Sequence, residues 1–86
     1  MEKTVLLVLL SHRRDEAVKV QQILTEYGCI IKTRLGIHDG VLDKCSEVGL
    51  LMLELVGDET EINKLNSSLQ AIKGISAKLV KLSLNN

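Results

Sequence analysis

Thr4-Val5-Leu6-Leu7-Val8-Leu9-Leu10-Ser11 is the stretch that decides the fold. An unbroken aliphatic run of this length, bounded by polar residues, reads as a strand buried on both faces in the middle of a sheet. It is too short for the core of a signal peptide or for a membrane span.

Downstream the period changes to that of a helix. From Arg13 to Tyr27, Ala17, Val20, Leu24 and Tyr27 fall on one stripe with Ile23 beside it, and Arg14, Glu16, Lys19, Gln22 and Glu26 face water. Gly28 is placed to end this helix in the left-handed conformation. Ile31, Thr33, Leu35 and Ile37 then alternate with Lys32, Arg34 and His38, the pattern of a half-buried strand at a sheet edge. A polar stretch to Glu47 leads into a second aliphatic strand, Val48 to Val56, with Leu51, Leu53 and Leu55 on one face and Leu50 and Met52 on the other. Asp58 with Glu61 three residues later is a helix start, and Ile62, Leu65, Leu69 and Ile72 carry that helix toward Gly74. Ile75 to Leu84 supplies the last strand.

The order β, α, β, β, α, β is the split-βαβ plan of an α+β, ferredoxin-like fold. It implies a four-stranded antiparallel sheet with two helices on one face, and its first and third strands are central. These are the two most continuously apolar strands, so pattern and topology agree. No proline and no Ser/Gly-rich stretch interrupts the chain, so residues 1–86 are expected to form a single domain.

Apolar residues make up 45% of the chain and charged residues 26%, a globular balance, but there is no Phe or Trp and only one Tyr, so the core must be aliphatic. Lys+Arg and Asp+Glu number 11 each, which leaves no net field to attract nucleic acid or an anionic membrane. Direct nucleic-acid binding is further disfavoured by the lack of aromatic stacking platforms, of a helix-turn-helix and of a basic arm. Cys29 and Cys45 are too few for a disulfide scaffold and match no common metal or redox spacing, so the expected address is cytoplasmic, with no membrane partner.

Four segments carry a resemblance: Ile23-Leu24-Thr25-Glu26-Tyr27-Gly28, Arg34-Leu35-Gly36-Ile37, Gly57-Asp58-Glu59-Thr60-Glu61-Ile62, and Leu69 with Gly74-Ile75. Together they resemble the regulators of the iron-only hydrogenase system, a family of short stand-alone proteins with an ACT-like, ferredoxin-like fold. The resemblance runs over nearly the whole chain and implies a regulatory role in such a system. More distantly the chain is similar to the effector domains of nickel-responsive regulators, which bind metal through histidines and a cysteine around the second and third strands. The comparable groups here are His38 and Cys45. Amino-acid-binding ACT domains commonly place a glycine between the first strand and helix, where this chain has Ser11-His12-Arg13-Arg14-Asp15.

Each chemical constellation has a plainer reading beside it. His12-Arg13-Arg14 at a helix start suits an anion, yet arginines there are usually just solvated. His38, Asp39, Asp43 and Cys45 offer metal ligands if a second subunit completes the set. An exposed polar hairpin is the favoured account of them, so no metal is assigned and His38 with Cys45 is kept as the alternative metal-handling reading. A nucleophilic pairing of Cys45 with His12 or His38 lacks an orienting group and an oxyanion hole, so neither enzyme activity nor a cofactor is expected.

The hairpin from His38 to Glu47 is longer than a tight turn needs and is flanked by glycines, which makes Arg34, Gly36, His38 and Gly49 the ligand-binding candidates.

Counting faces predicts assembly. If the helices cover Leu51, Leu53 and Leu55 with Ile31, Thr33, Leu35 and Ile37, then Leu50 and Met52 point away from them, rimmed by Lys32, Arg34 and Glu54. The first strand adds either its even or its odd residues, and the interface set is taken as Leu6, Val8, Leu50 and Met52. A monomer would expose a contiguous aliphatic patch, which a homodimer or a tetramer of dimers would bury. The expectation is a small regulatory or sensory homo-oligomer. Its association, with itself or with another regulatory protein, would change when a small-molecule effector occupies a subunit interface.

Overall fold

Backbone pairing puts the two most apolar strands at the centre of the sheet. A computed structural model of the chain describes residues 1–10, 14–38 and 49–84. The elements are β1 (Glu2–Leu10), α1 (Arg14–Glu26), a 3-10 turn (Gly28–Ile30), β2 (Ile31–His38), β3 (Gly49–Leu55), α2 (Glu59–Gln70) and β4 (Ile75–Ser83). The strand order is β2-β3-β1-β4, with every neighbouring pair antiparallel. This is the βαββαβ ferredoxin-like fold.

Register explains the core. Leu6 of β1 lies opposite Leu53 on one side and Leu79 on the other, and Val8 lies opposite Leu51 and Ala77. Residues directly opposite across a ladder share a face, so even-numbered β1 residues and odd-numbered β3 and β4 residues gather on one side. There they meet Val20 and Leu24 of α1 and Ile62, Leu65 and Leu69 of α2, all buried. Leu6 and Val8 are each 0% exposed. They are therefore core residues and not part of an open face, which corrects their assignment to an oligomer interface. The odd-numbered residues of β1 take the uncovered side.

A second correction concerns β2. The register shifts between Ile31, opposite Leu55, and Thr33, opposite Glu54, so Lys32 is an extra residue. A one-residue bulge reverses which side the following side chains take. Thr33 and Leu35 share the open face with Glu54 and Met52, and Arg34 crosses to the helix side opposite Leu53. Ile37 pairs with Leu50 in the same backbone register.

The ends of the helices follow local chemistry. At α2, Asp58 has extended backbone and its carboxylate accepts from the Thr60 amide at 3.0 Å, the expected N-cap. The Lys81–Glu59 ion pair at 2.6 Å ties that end to β4. Replacing Asp58 by Ala should cost about 1 kcal/mol, read as a lower urea midpoint with an unchanged slope.

Gly28 does not end α1 in the left-handed region; it opens the 3-10 turn, and positive φ occurs instead at Gly57 and Gly74. Helix α2 stops at Gln70, before Gly74: the Ala71 amide makes the last α-type bond, to the Ser67 carbonyl at 3.1 Å, and the Ile72 amide donates instead to Leu69 at 3.1 Å in a tighter 3-10 turn. With φ of 86°, Gly74 then redirects the chain into β4, and a Cβ there would lie 3.3 Å from Glu16 Cγ. Among the described residues no helix is long and apolar enough to cross a membrane.

Candidate functional site

Two small residues on facing elements leave a gap. Ala17 in the first half of α1 looks toward β2, where Gly36 has no side chain, and a Cβ on Gly36 would meet Leu51 Cδ2 at 3.3 Å. The result is a groove of about 280 Å³ between α1 and the β2 edge of the sheet. Leu10, Val20 and Leu51 give it apolar walls, and Gly49 with the backbone at Leu50 closes the β3 end. Arg34 and Gln21 are its polar members.

The bulge decides the chemistry of this groove. Without the extra residue in β2, Arg34 would stand on the open face; with it, the Arg34 guanidinium donates from Nη2 to Gln21 Oε1 on α1. That bond holds one corner of the guanidinium and leaves its other N–H donors available. Among the described residues no carboxylate pairs with Arg34, and the lining contains no acidic side chain. An apolar trough with one oriented cation suits a small ligand that has a hydrocarbon body and an anionic end.

Arg34, Gly36 and Gly49, three of the ligand-binding candidates, thus line one groove. His38 is opposite Gly49 in the β2–β3 register, and Leu10 is opposite Gly49 on the other side. His12, Arg13, Asp39, Asp43 and Cys45 lie outside the described residues, so the hairpin metal set falls outside the described structure. Cys29 is exposed in the 3-10 turn. Reading the sequence alone missed Gln21 and misplaced Ala17, which is exposed at the groove instead of buried in the helix stripe.

The other side of the sheet is apolar and uncovered. Leu35, Met52, Leu7 and Lys78 form one cross-strand row, with Thr33, Glu54, Val5 and Val80 in the row above and Leu50, Leu9 and Ser76 in the row below. Leu9, Leu35 and Leu82 are 46%, 48% and 60% exposed. Among the described residues no element packs over this face. Lys3 and Glu54 pair on it at 2.9 Å, and Thr33 Oγ1 donates to Glu54 at 3.5 Å. Lys3 therefore takes the rim position expected of Arg34.

The hydrogen bond from Lys3 holds the Glu54 carboxyl below its ordinary value of 4.5, with the charges of Lys3 and Lys32 acting in the same direction against partial desolvation. In return Glu54 raises the Lys3 ammonium above its ordinary 10.5. The Glu54 contribution to stability is thus present above pH 4.5 and is lost as pH falls through the lowered folded value. The Lys3 contribution is present below pH 10.5 and is lost as pH rises through the raised one. A carbon-detected NMR titration should place the Glu54 midpoint below 4.5, and Lys3→Gln should move it back up.

The sequence matches no protein-family model and no curated protein. Solved structures do match. The uncharacterized protein TM1266 from Thermotoga maritima superposes with a TM-score of 0.81 at 23% identity, over 96% of this chain and 100% of that one. CPII, a nitrogen regulatory PII-like protein from Thiomonas intermedia, bound to ADP, AMP and bicarbonate, has a TM-score of 0.59 at 11% identity, over 100% of this chain and 98% of that one. A formyltetrahydrofolate deformylase from Pseudomonas syringae pv. tomato matches with a TM-score of 0.60 at 14% identity, over 94% of this chain but only 28% of the larger protein. At these identities the likeness establishes a shared fold. One architecture appears as a whole protein in two of these structures and as a segment of an enzyme in the third, so function must be argued from the site.

Proposed function

We propose that this chain is a small regulatory module that works as a homo-oligomer through the open face of its sheet. Its output is a change in association when a small effector binds beside that interface. The observation that carries the reading is the aliphatic surface made by Val5, Leu7, Leu9, Leu35, Leu50, Met52, Val80 and Leu82, with Lys78 at the β4 end of the Leu7 row and the Lys3–Glu54 pair beside Val5 and Leu82. Contiguous apolar patches of more than a few hundred Å² are uncommon on monomers in water. A two-fold axis through Leu7 and Met52 buries the same patch on both copies, and one contact set then serves twice. The Lys3–Glu54 pair lies beside Val5 and Leu82 toward one end of the central strands and keeps part of both side chains in water, where ion pairs steer orientation more than they add affinity.

In this reading the chain carries out no reaction. The resemblance to regulators of the iron-only hydrogenase system supplies the pathway, and the fold shared with a nitrogen regulatory PII-like protein is compatible with a sensory role.

The interface is tested by isotope-filtered NMR on a mixture of labelled and unlabelled protein. Intermolecular contacts from the Met52 methyl to Leu7 or Leu35 methyls are expected. Intermolecular contacts confined to α1 or α2 would overturn the reading. The pathway is tested by deleting the gene in its host, with lowered or deregulated iron-only hydrogenase activity expected and an unchanged hydrogenase response counting against it.

A further inference from the structure

We infer that the groove between α1 and β2 is a binding site for a small aliphatic monocarboxylate, its carboxylate taken by Arg34 and its hydrocarbon by Leu10, Val20 and Leu51. The inference rests on the regulatory reading above in one respect: it names the class of effector which that reading leaves open.

Size, charge and composition each narrow the occupant. A volume of about 280 Å³ lies at the lower edge of small-molecule sites, which begin near 300 Å³. The volume is small for a nucleotide such as those held by CPII, and the described lining residues include neither an aromatic ring to stack a base nor a second cation for phosphates. Among the described lining residues the one charged side chain is Arg34, held in place by Gln21 and without a carboxylate partner among the described residues. A guanidinium fork fits a planar carboxylate with two parallel hydrogen bonds. A zwitterionic amino acid would bring an ammonium into a lining whose described residues include no acidic side chain, and would leave that charge without a partner among them. A carboxylate with a branched or straight hydrocarbon tail satisfies both parts of the groove.

The same groove reaches the proposed interface. Leu50 lines it and also belongs to the open face, opposite Leu9 of β1. An occupant therefore sits against the β3 backbone directly behind a side chain on which self-association depends.

The probe is 4-methylpentanoate, titrated into the isotope-labelled full chain by NMR, with the amine of the same carbon skeleton and leucine in parallel. The carboxylate should shift the amides of Ala17, Arg34 and Gly36 with a Kd of about 1 mM or tighter, the affinity open to a ligand of so few atoms. Arg34→Gln should weaken it at least tenfold. Ala17→Leu, a good helix former on an exposed position, should fill the groove and do the same. Lys81→Gln, a cation outside the groove, should leave it unchanged. If Ala17→Leu does not fold, Arg34→Gln decides alone. The absence of shifts at these amides, equal binding of the amine or of leucine, or undiminished binding to Arg34→Gln would each overturn the site. Sedimentation of the same samples separates the two ideas, since binding without any change in association sinks the regulatory output and leaves the carboxylate site standing.

Discussion

Met52→Glu is expected to abolish self-association while leaving the protomer folded. Met52 sits between Leu35 and Leu7 at the middle of the uncovered face, so a carboxylate there would be buried at the centre of the dimer once on each copy. An unpaired charge removed from water costs several kcal/mol, and each 1.4 kcal/mol is a factor of ten in a dissociation constant. The dissociation constant of the dimer should rise by at least about a hundredfold. Folding of the single chain should change little, because that face is wet in the monomer and surface replacements usually stay within about 0.5 kcal/mol. Sedimentation velocity and circular dichroism on one sample read both effects. A variant that still dimerises with native affinity would place the interface elsewhere.

The second large effect separates the two faces of β1. Leu6→Ala should lower the unfolding free energy by about 3 kcal/mol, within the range of about 2 to 5 kcal/mol for a large-to-small change in a packed core. For a domain of 86 residues the whole stability is on the order of 4 to 13 kcal/mol, so this single change removes a large share of it. Leu7→Ala, one residue away but on the open side, should cost about 1 kcal/mol or less in the monomer and act mainly on association. Both are best measured by urea unfolding in the Met52→Glu background, where dimerisation does not contribute to apparent stability. Equal losses at the two positions would contradict the face assignment.

Much of the fold was legible because several signals pointed the same way. The aliphatic runs around Leu6 and Leu53 marked the central strands, and the Asp58 cap marked the start of α2. The faces were harder to read. In β1 both parities are aliphatic, so alternation carries no information on which side the helices cover, and only the ladder to Leu53 and Leu79 decides it. In β2 the alternation is clean, yet the bulge at Lys32 reverses its meaning after Ile31, and no glycine or proline marks that bulge.

The groove was visible in part for a related reason. Arg34, Gly36 and Gly49 stood out as residues flanking the hairpin, a cue that says where the strands end and nothing about α1. Gln21 was not singled out at all. Its role depends on Arg34 crossing to the helix side, which is a consequence of the bulge and cannot be read from the helix itself. Ala17 was counted with the apolar stripe because its spacing fits, although its small size at that point is what opens the gap.

Sedimentation equilibrium of the unmodified chain at tens of micromolar tests the central claim most directly. A mass of twice the 9.5 kDa protomer, or four times it, is the predicted result, with Met52→Glu run beside it at the protomer mass. A single species at 9.5 kDa across that concentration range would contradict the account, since the aliphatic face of the sheet would then be stable in water without a partner copy.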